Sequence, residues 1–167
     1  MRFDTVVLGA WFITLVSVVA QALLAWETLP ERVASHFGGD GVPNGWMQRE
    51  QFLGIWIGVT VLCNSCVALP AISMRTIPDL VSIPNRRFWL STPERRVRAT
   101  RVLTGTVAAC IALTNLALYL AFEVVETHAH TGKPVPFPAG MVLGLLGAIL
   151  VVALVYPVVA LKREKVL

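Results

Sequence analysis

The side chains able to do chemistry in this 167-residue chain stand mostly in two short stretches. Glu27–Glu50 reads ETLPERVASHFGGDGVPNGWMQRE, and Glu123–Pro138 reads EVVETHAHTGKPVPFP. Together they hold all three histidines, His36, His128 and His130, beside the carboxylates Glu27, Glu31, Asp40, Glu123 and Glu126. Imidazole nitrogen and carboxylate oxygen suit a zinc- or copper-like ion, which gives His36, His128 and His130 a reading as metal ligands. His128 and His130 point the same way if their loop is extended. No established ligand spacing frames them, so the competing reading is loop histidines that are hydrogen-bonded or gain charge as external pH falls. Cys63 and Cys66 form a CNSC sequence, and Cys110 stands apart. A CxxC pair is activated by a helix N-terminus or a nearby cation. An apolar stretch offers neither, so the three cysteines read as buried, inert side chains. GxSxG, a Gly-rich phosphate loop before a helix and HExxH are all missing from the sequence, which leans away from an enzyme.

Most of the chain exists to position these residues in a bilayer. Hydrophobic residues make up 56%, charged residues 14%, and the mean hydropathy is +0.70. Soluble domains carry roughly 25% charged residues, and disordered chains have the opposite balance. Thr5–Trp26, Phe52–Met74, Val102–Phe122 and Phe137–Leu161 contain no Asp, Glu, Lys, Arg or His. Each supplies the roughly 20 apolar residues that a helix needs to cross about 30 Å of hydrocarbon. Isolated strands would leave backbone groups unpaired in lipid. The expected fold is therefore all-α, a single membrane domain over residues 1–167. Its four-helix bundle would have outer loops at 27–51 and 123–136 and an inner loop at 75–101. Ala20-Gln21-Ala22 resembles a signal-peptidase site, but the long uncharged run and Asp4 favour a retained anchor. Within the spans, Gln21, Asn64 and Asn115 are expected to bond between helices. Gly105 with Ala109, and Gly140 with Gly144 and Ala148, form small-residue stripes that permit close helix contact. Spans empty of ionisable groups argue against ion-coupled transport.

Charge orients the bundle. Arg2, Arg75, Arg86, Arg87, Arg95, Arg96, Arg98, Arg101, Lys162, Arg163 and Lys165 fall on one side; Arg32, Arg49 and Lys133 fall on the other. Eleven against three places both termini in the cytoplasm. The outer side then carries −3 and the inner side +7, so the net +4 is a sum of opposed faces. In the inner loop, Pro78 and Pro84 interrupt an apolar piece expected to lie in the interface, with Trp89 at headgroup level and Arg86 and Arg87 toward phosphate. A helix follows, opened by Ser91 with Glu94 or by Thr92 with Pro93. Its arginines suit anionic lipid, a cytoplasmic protein or a phosphorylated ligand. A basic face tied to a membrane, with no recognised DNA- or RNA-binding motif, argues against nucleic acid.

Two motifs carry a resemblance. LPERVASHFGGDGVPNGW resembles the LP-x-x-(I/V)-x-x-HF…G-x-P-x-x-W signature of a bacterial domain of unknown function. That domain lies at the N-terminal end of SdpI-type immunity and signal-transduction membrane proteins. The signature falls on Leu29, Pro30, Val33, His36, Phe37, Gly41, Pro43 and Trp46. IPNRRFWLSTPERR is similar to a second motif of short members, on Pro84, Asn85, Trp89, Pro93, Glu94, Arg95 and Arg96, with Arg86 and Arg87 between them. Gly38 stands where family members usually have Asn, and Asn44 where an acid is frequent. The resemblance implies a multi-pass protein of the bacterial cytoplasmic membrane, whose outer motif binds or senses a secreted peptide or other ligand. It also implies an immunity or signalling role and possible membrane-protein partners. The alternative is a metal-binding or structural subunit of a membrane enzyme or transporter complex.

Overall fold

The computed structural model describes residues 3–136 and 139–162. Arg2, Arg163, Lys165 and Phe137, used above for orientation and for the fourth span, lie outside the described residues. Helix α1 (Phe3–Leu24) leads to strands β1 (Arg32–Phe37) and β2 (Pro43–Gln48). Helices α2 (Arg49–Ser65) and α3 (Leu69–Thr76) form the second span, and the short α4 (Arg86–Trp89) lies in the inner loop. The long α5 (Pro93–Thr131) and α6 (Ala139–Ala160) complete the chain. Four helical stretches are long and apolar enough to cross a membrane: Thr5–Leu24, Arg49–Thr76, Pro93–Thr131 and Leu143–Ala160.

The molecule is mostly helical, but all-α needs correcting. The first loop, residues 27–51, holds an antiparallel hairpin between β1 and β2. Val33 pairs with Met47 and Ala34 with Trp46, and the register shifts on either side of His36. Gly38-Gly39-Asp40-Gly41 supplies the turn. The Gly38 amide donates to the Val42 carbonyl at 2.8 Å, and the Asp40 carboxylate accepts from the Val42 amide at 3.0 Å. The second correction concerns the third span. α5 does not end near Phe122 but continues to a left-handed cap at Gly132, φ 64°. At 1.5 Å per residue its 39 residues measure roughly 58 Å, about twice the hydrocarbon thickness. Residues 102–122 are its charge-free stretch, and the helix runs on beyond both ends of it.

α5 is the central post, packed most extensively against α1 and then against α6. Its start follows the sequence: Thr92 caps, its hydroxyl accepting from the Arg95 amide at 3.3 Å, and Pro93 opens the first turn. The second span bends through a 3₁₀ turn at Cys66–Ala68, because the ring of Pro70 opposes the Cys66 carbonyl four residues back. On the small-residue stripes, Gly105 is buried and Ala109 packs on the Val7–Val67–Ala108 cluster, while a Cβ added at Gly105, Gly140 or Gly144 meets nothing within 4 Å. Polar knots join the helices. Asn64 and Asn115 exchange side-chain hydrogen bonds at 2.9 and 3.1 Å, and the Trp11 indole donates to Asn64 at 2.7 Å. Asn115 is fully buried and reaches Thr14 at 3.4 Å, so three spans meet at this point.

Removing either asparagine takes one partner from the other's amide, and lipid offers no replacement. Asn64→Ala and Asn115→Ala are each expected to cost about 1–2 kcal/mol, with a coupling of about 1 kcal/mol in a double-mutant cycle. Reversible unfolding in mixed micelles measures both. Strictly additive single costs would show that the pair does not act as a unit.

Candidate functional site

One end of the bundle is built around the hairpin, and its foundation is a shared core. Ala22 and Ala25 from α1, Leu29, Val33, Phe52, Leu53, Phe122 and Val125 form one buried cluster. Val33 is fully buried, and Leu29 is 2% exposed. Arg49, where β2 meets α2, fixes the base of the hairpin. Its amide donates to the Glu31 carbonyl at 2.9 Å, its guanidinium donates to the Leu29 carbonyl at 3.1 Å, and it lies 5.4 Å from the Trp26 ring centre.

The far end of the hairpin is held by the top of α5. His128 meets the Phe37 ring edge-on at 5.6 Å and the Trp46 ring at 5.9 Å. Its Nδ1 is 2.8 Å from the Lys133 carbonyl, which can only accept, so Nδ1 carries the proton. The extension of α5 past Glu123 makes this contact available. Val135 then closes the clasp: its amide donates to the Gly41 carbonyl at 3.1 Å. Gly41 has φ 77°, and a Cβ there would sit 2.5 Å from the Val135 carbonyl oxygen. Only glycine satisfies both the turn and the approach. Gly41→Ala should therefore loosen the clasp by at least about 1–2 kcal/mol, the cost of left-handed backbone alone. Hydrogen exchange at the 37–42 amides reads the loss, and unchanged protection there would contradict the clasp.

Beneath the hairpin lies an open cavity of about 370 Å³, lined by Ser35–Gly39 above and by Phe52, Trp56, Ala121, Val124 and Val125 below. Trp46 is half exposed beside it. A second polar cluster stands at the outer ends of α1 and α5. Gln21 donates to Glu123 at 2.8 Å and to Glu126 at 3.4 Å. Burial, then the neighbouring Glu123 charge, pushes the Glu126 carboxyl above its ordinary range; the Gln21 hydrogen bond and His130 pull the other way.

Of the outer motif residues, Leu29 is core, Pro30 is an exposed bend, and Phe37, Gly41 and Pro43 shape the hairpin. His36 lies across Gly45, whose added Cβ would be 3.1 Å from it. The three histidines do not converge. His128 and His130 lie on helix rather than extended chain, so their side chains diverge; the Nδ1 of His130 donates to the Glu126 carbonyl at 2.7 Å. Among the described residues, no group of three or more His, Cys, Asp or Glu is arranged to hold a metal ion.

In the inner motif, Trp89 is 4% exposed, packed in a core with Met74, Ala99 and Leu161. Its indole donates to the Leu161 carbonyl at 2.9 Å, tying the inner loop to the end of α6. Asn85 takes the left-handed conformation, φ 54°, which Asn tolerates better than most residues, and so turns Pro84 into α4. Arg86 pairs with Asp79 at 2.6 Å, and Arg87 is exposed. Arg95 lies 4.1 Å from the Phe88 ring centre, Arg98 5.6 Å from that of Trp89, and Arg96 is exposed. Glu94 is held below its ordinary carboxylate range by a hydrogen bond to its own backbone amide, and also by one to Thr92.

Four helices fit to cross a membrane make this a multi-pass membrane protein. Residues 12–62 match a family described as a domain of unknown function, DUF1648, which takes in the second half of α1, the hairpin and most of α2. Neither the curated proteins nor the solved structures include a match to the chain.

Proposed function

We propose that the protein is a non-enzymatic component of a bacterial cytoplasmic membrane that binds a cationic secreted peptide on its outer face, as in SdpI-type immunity or signalling. The observation that carries this reading is the preformed hairpin, held by Arg49 at its base and by His128 and Val135 at its tip. Binding sites gain affinity when the receiving surface is ordered beforehand. The half-exposed Trp46 is the type of side chain that anchors interfaces, and the surplus of outer carboxylates favours a basic partner. Both termini face the cytoplasm in this reading, since eleven of the fourteen Lys and Arg then lie inside.

The test compares a deletion strain with strains complemented by the wild-type chain or by Trp46→Ala. Cells are challenged with the cationic peptide fraction of culture supernatants. The deletion and Trp46→Ala strains should be at least about tenfold more sensitive, which corresponds to about 1.4 kcal/mol of lost binding. Equal sensitivity in all three strains would refute an immunity role. Reporters fused at Gly39 and Ser91 should report from opposite sides of the membrane. Stoichiometric zinc or copper in purified protein, lost on His36→Ala, would move the reading to a metal-binding subunit.

A further inference from the structure

At the arginine-rich end of the bundle, α4, the first turns of α5 and the end of α6 enclose a cleft of about 490 Å³. Its walls combine two kinds of surface. Phe88, Trp89 and Val159 are apolar, and Arg95, Arg98 and Lys162 are cationic. The two guanidiniums are placed rather than free. Arg95 donates to the Ser91 hydroxyl at 2.8 Å and lies over Phe88, while Arg98 lies over Trp89. Among the described residues, neither arginine nor Lys162 forms a salt bridge; the two pairs found there are Arg49–Glu50 and Arg86–Asp79. The single acid in the lining, Glu94, is turned back on the start of its own helix. The cleft thus presents three cations against one engaged carboxylate.

From this geometry we infer that the cleft is a binding site for one anionic phospholipid of the adjoining leaflet. Arg95, Arg98 and Lys162 receive its phosphate, and the acyl chains lie along α6. The apolar side points to lipid rather than to a soluble phosphate compound. Val159 at the cleft, and Val155 and Val151 one and two turns before it, form an exposed aliphatic row along α6. A planar guanidinium donates two parallel hydrogen bonds to a phosphate, and an aromatic plank beneath it reduces the entropy lost on binding. This site is separate from the outer hairpin and does not depend on the peptide-binding proposal.

The full chain in uncharged detergent micelles is titrated with phosphatidylglycerol, phosphatidylcholine or inorganic phosphate, and retained lipid and melting temperature are read by native mass spectrometry and thermal unfolding. Phosphatidylglycerol should be retained one to one and raise the melting temperature; phosphatidylcholine and inorganic phosphate should do neither. Arg98→Gln and Lys162→Gln should each weaken retention about fivefold, from about 1 kcal/mol per basic residue at a membrane surface. Arg87→Gln, outside the cleft, should leave retention unchanged. Lys162 is exposed, so its variant decides the matter if Arg98→Gln unfolds. Equal retention of phosphatidylcholine, protection by inorganic phosphate alone, or full retention by Lys162→Gln would overturn the site.

Discussion

Phe122→Ala is expected to cost the folded protein about 3–5 kcal/mol and to release the hairpin from the bundle. Phe122 is fully buried at the end of the charge-free stretch of α5, with its ring centre 5.7 Å from that of Phe52 and 5.2 Å from that of Trp56. The same cluster contains Leu29 and Val33, which carry the hairpin. Truncation leaves a cavity that the two remaining rings, Phe52 and Trp56, cannot fill without moving, and the lost contacts are dispersion contacts that lipid does not replace. Unfolding in mixed micelles should fall by that amount, with faster hydrogen exchange in β1 and β2. Phe12→Ala is the control, since Phe12 is 59% exposed on the lipid side of α1 and should cost under about 1 kcal/mol. Unchanged exchange in β1 after Phe122→Ala would show that the hairpin does not stand on this core.

Trp89→Ala should have a comparable effect at the opposite end, about 3–5 kcal/mol. Here a hydrogen bond and a packing contribution can be separated. The Leu161 carbonyl belongs to the closing turn of α6, where carbonyls have no partner further along the helix. Trp89→Phe keeps most of the ring and loses the indole donor, so it should cost about 1 kcal/mol. Exchange at the last turn of α6 should quicken in both variants, more in Trp89→Ala. If Trp89→Phe proved as damaging as Trp89→Ala, the hydrogen bond rather than ring volume would be the main support.

The bilayer logic was legible because charge-free runs of this length admit few other meanings. The polar residues within the spans were legible for the same reason: Asn64 and Asn115 have no partner in lipid and therefore had to find each other. The hairpin was missed because its strands do not alternate cleanly. Both Val33 and Ala34 are buried, and the register shifts around His36 break the two-residue period. The signals that could have found it were the GGDG turn between two six-residue runs and the start of the second run at Pro43. The continuation of α5 was hidden by Glu123 and Glu126, which mark the membrane boundary and not the helix end. Gly132 followed by Pro134 was the true stop signal. The burial of Trp89 is not legible in the sequence, because a tryptophan near arginines matches an interfacial belt and only the tertiary fold brings Leu161, 72 residues later, to its indole.

One helix thus carries the His128 contact near its C-terminal end and the arginine cleft near its N-terminal end. A rod of roughly 58 Å cannot tilt at one end alone. A rotation of 5° about its middle sweeps each tip by about 2.5 Å, in opposite directions, comparable to the helix displacements at known switching interfaces. The two ends of the molecule therefore share a single mechanical coordinate, with the Asn64–Asn115 knot as its fulcrum.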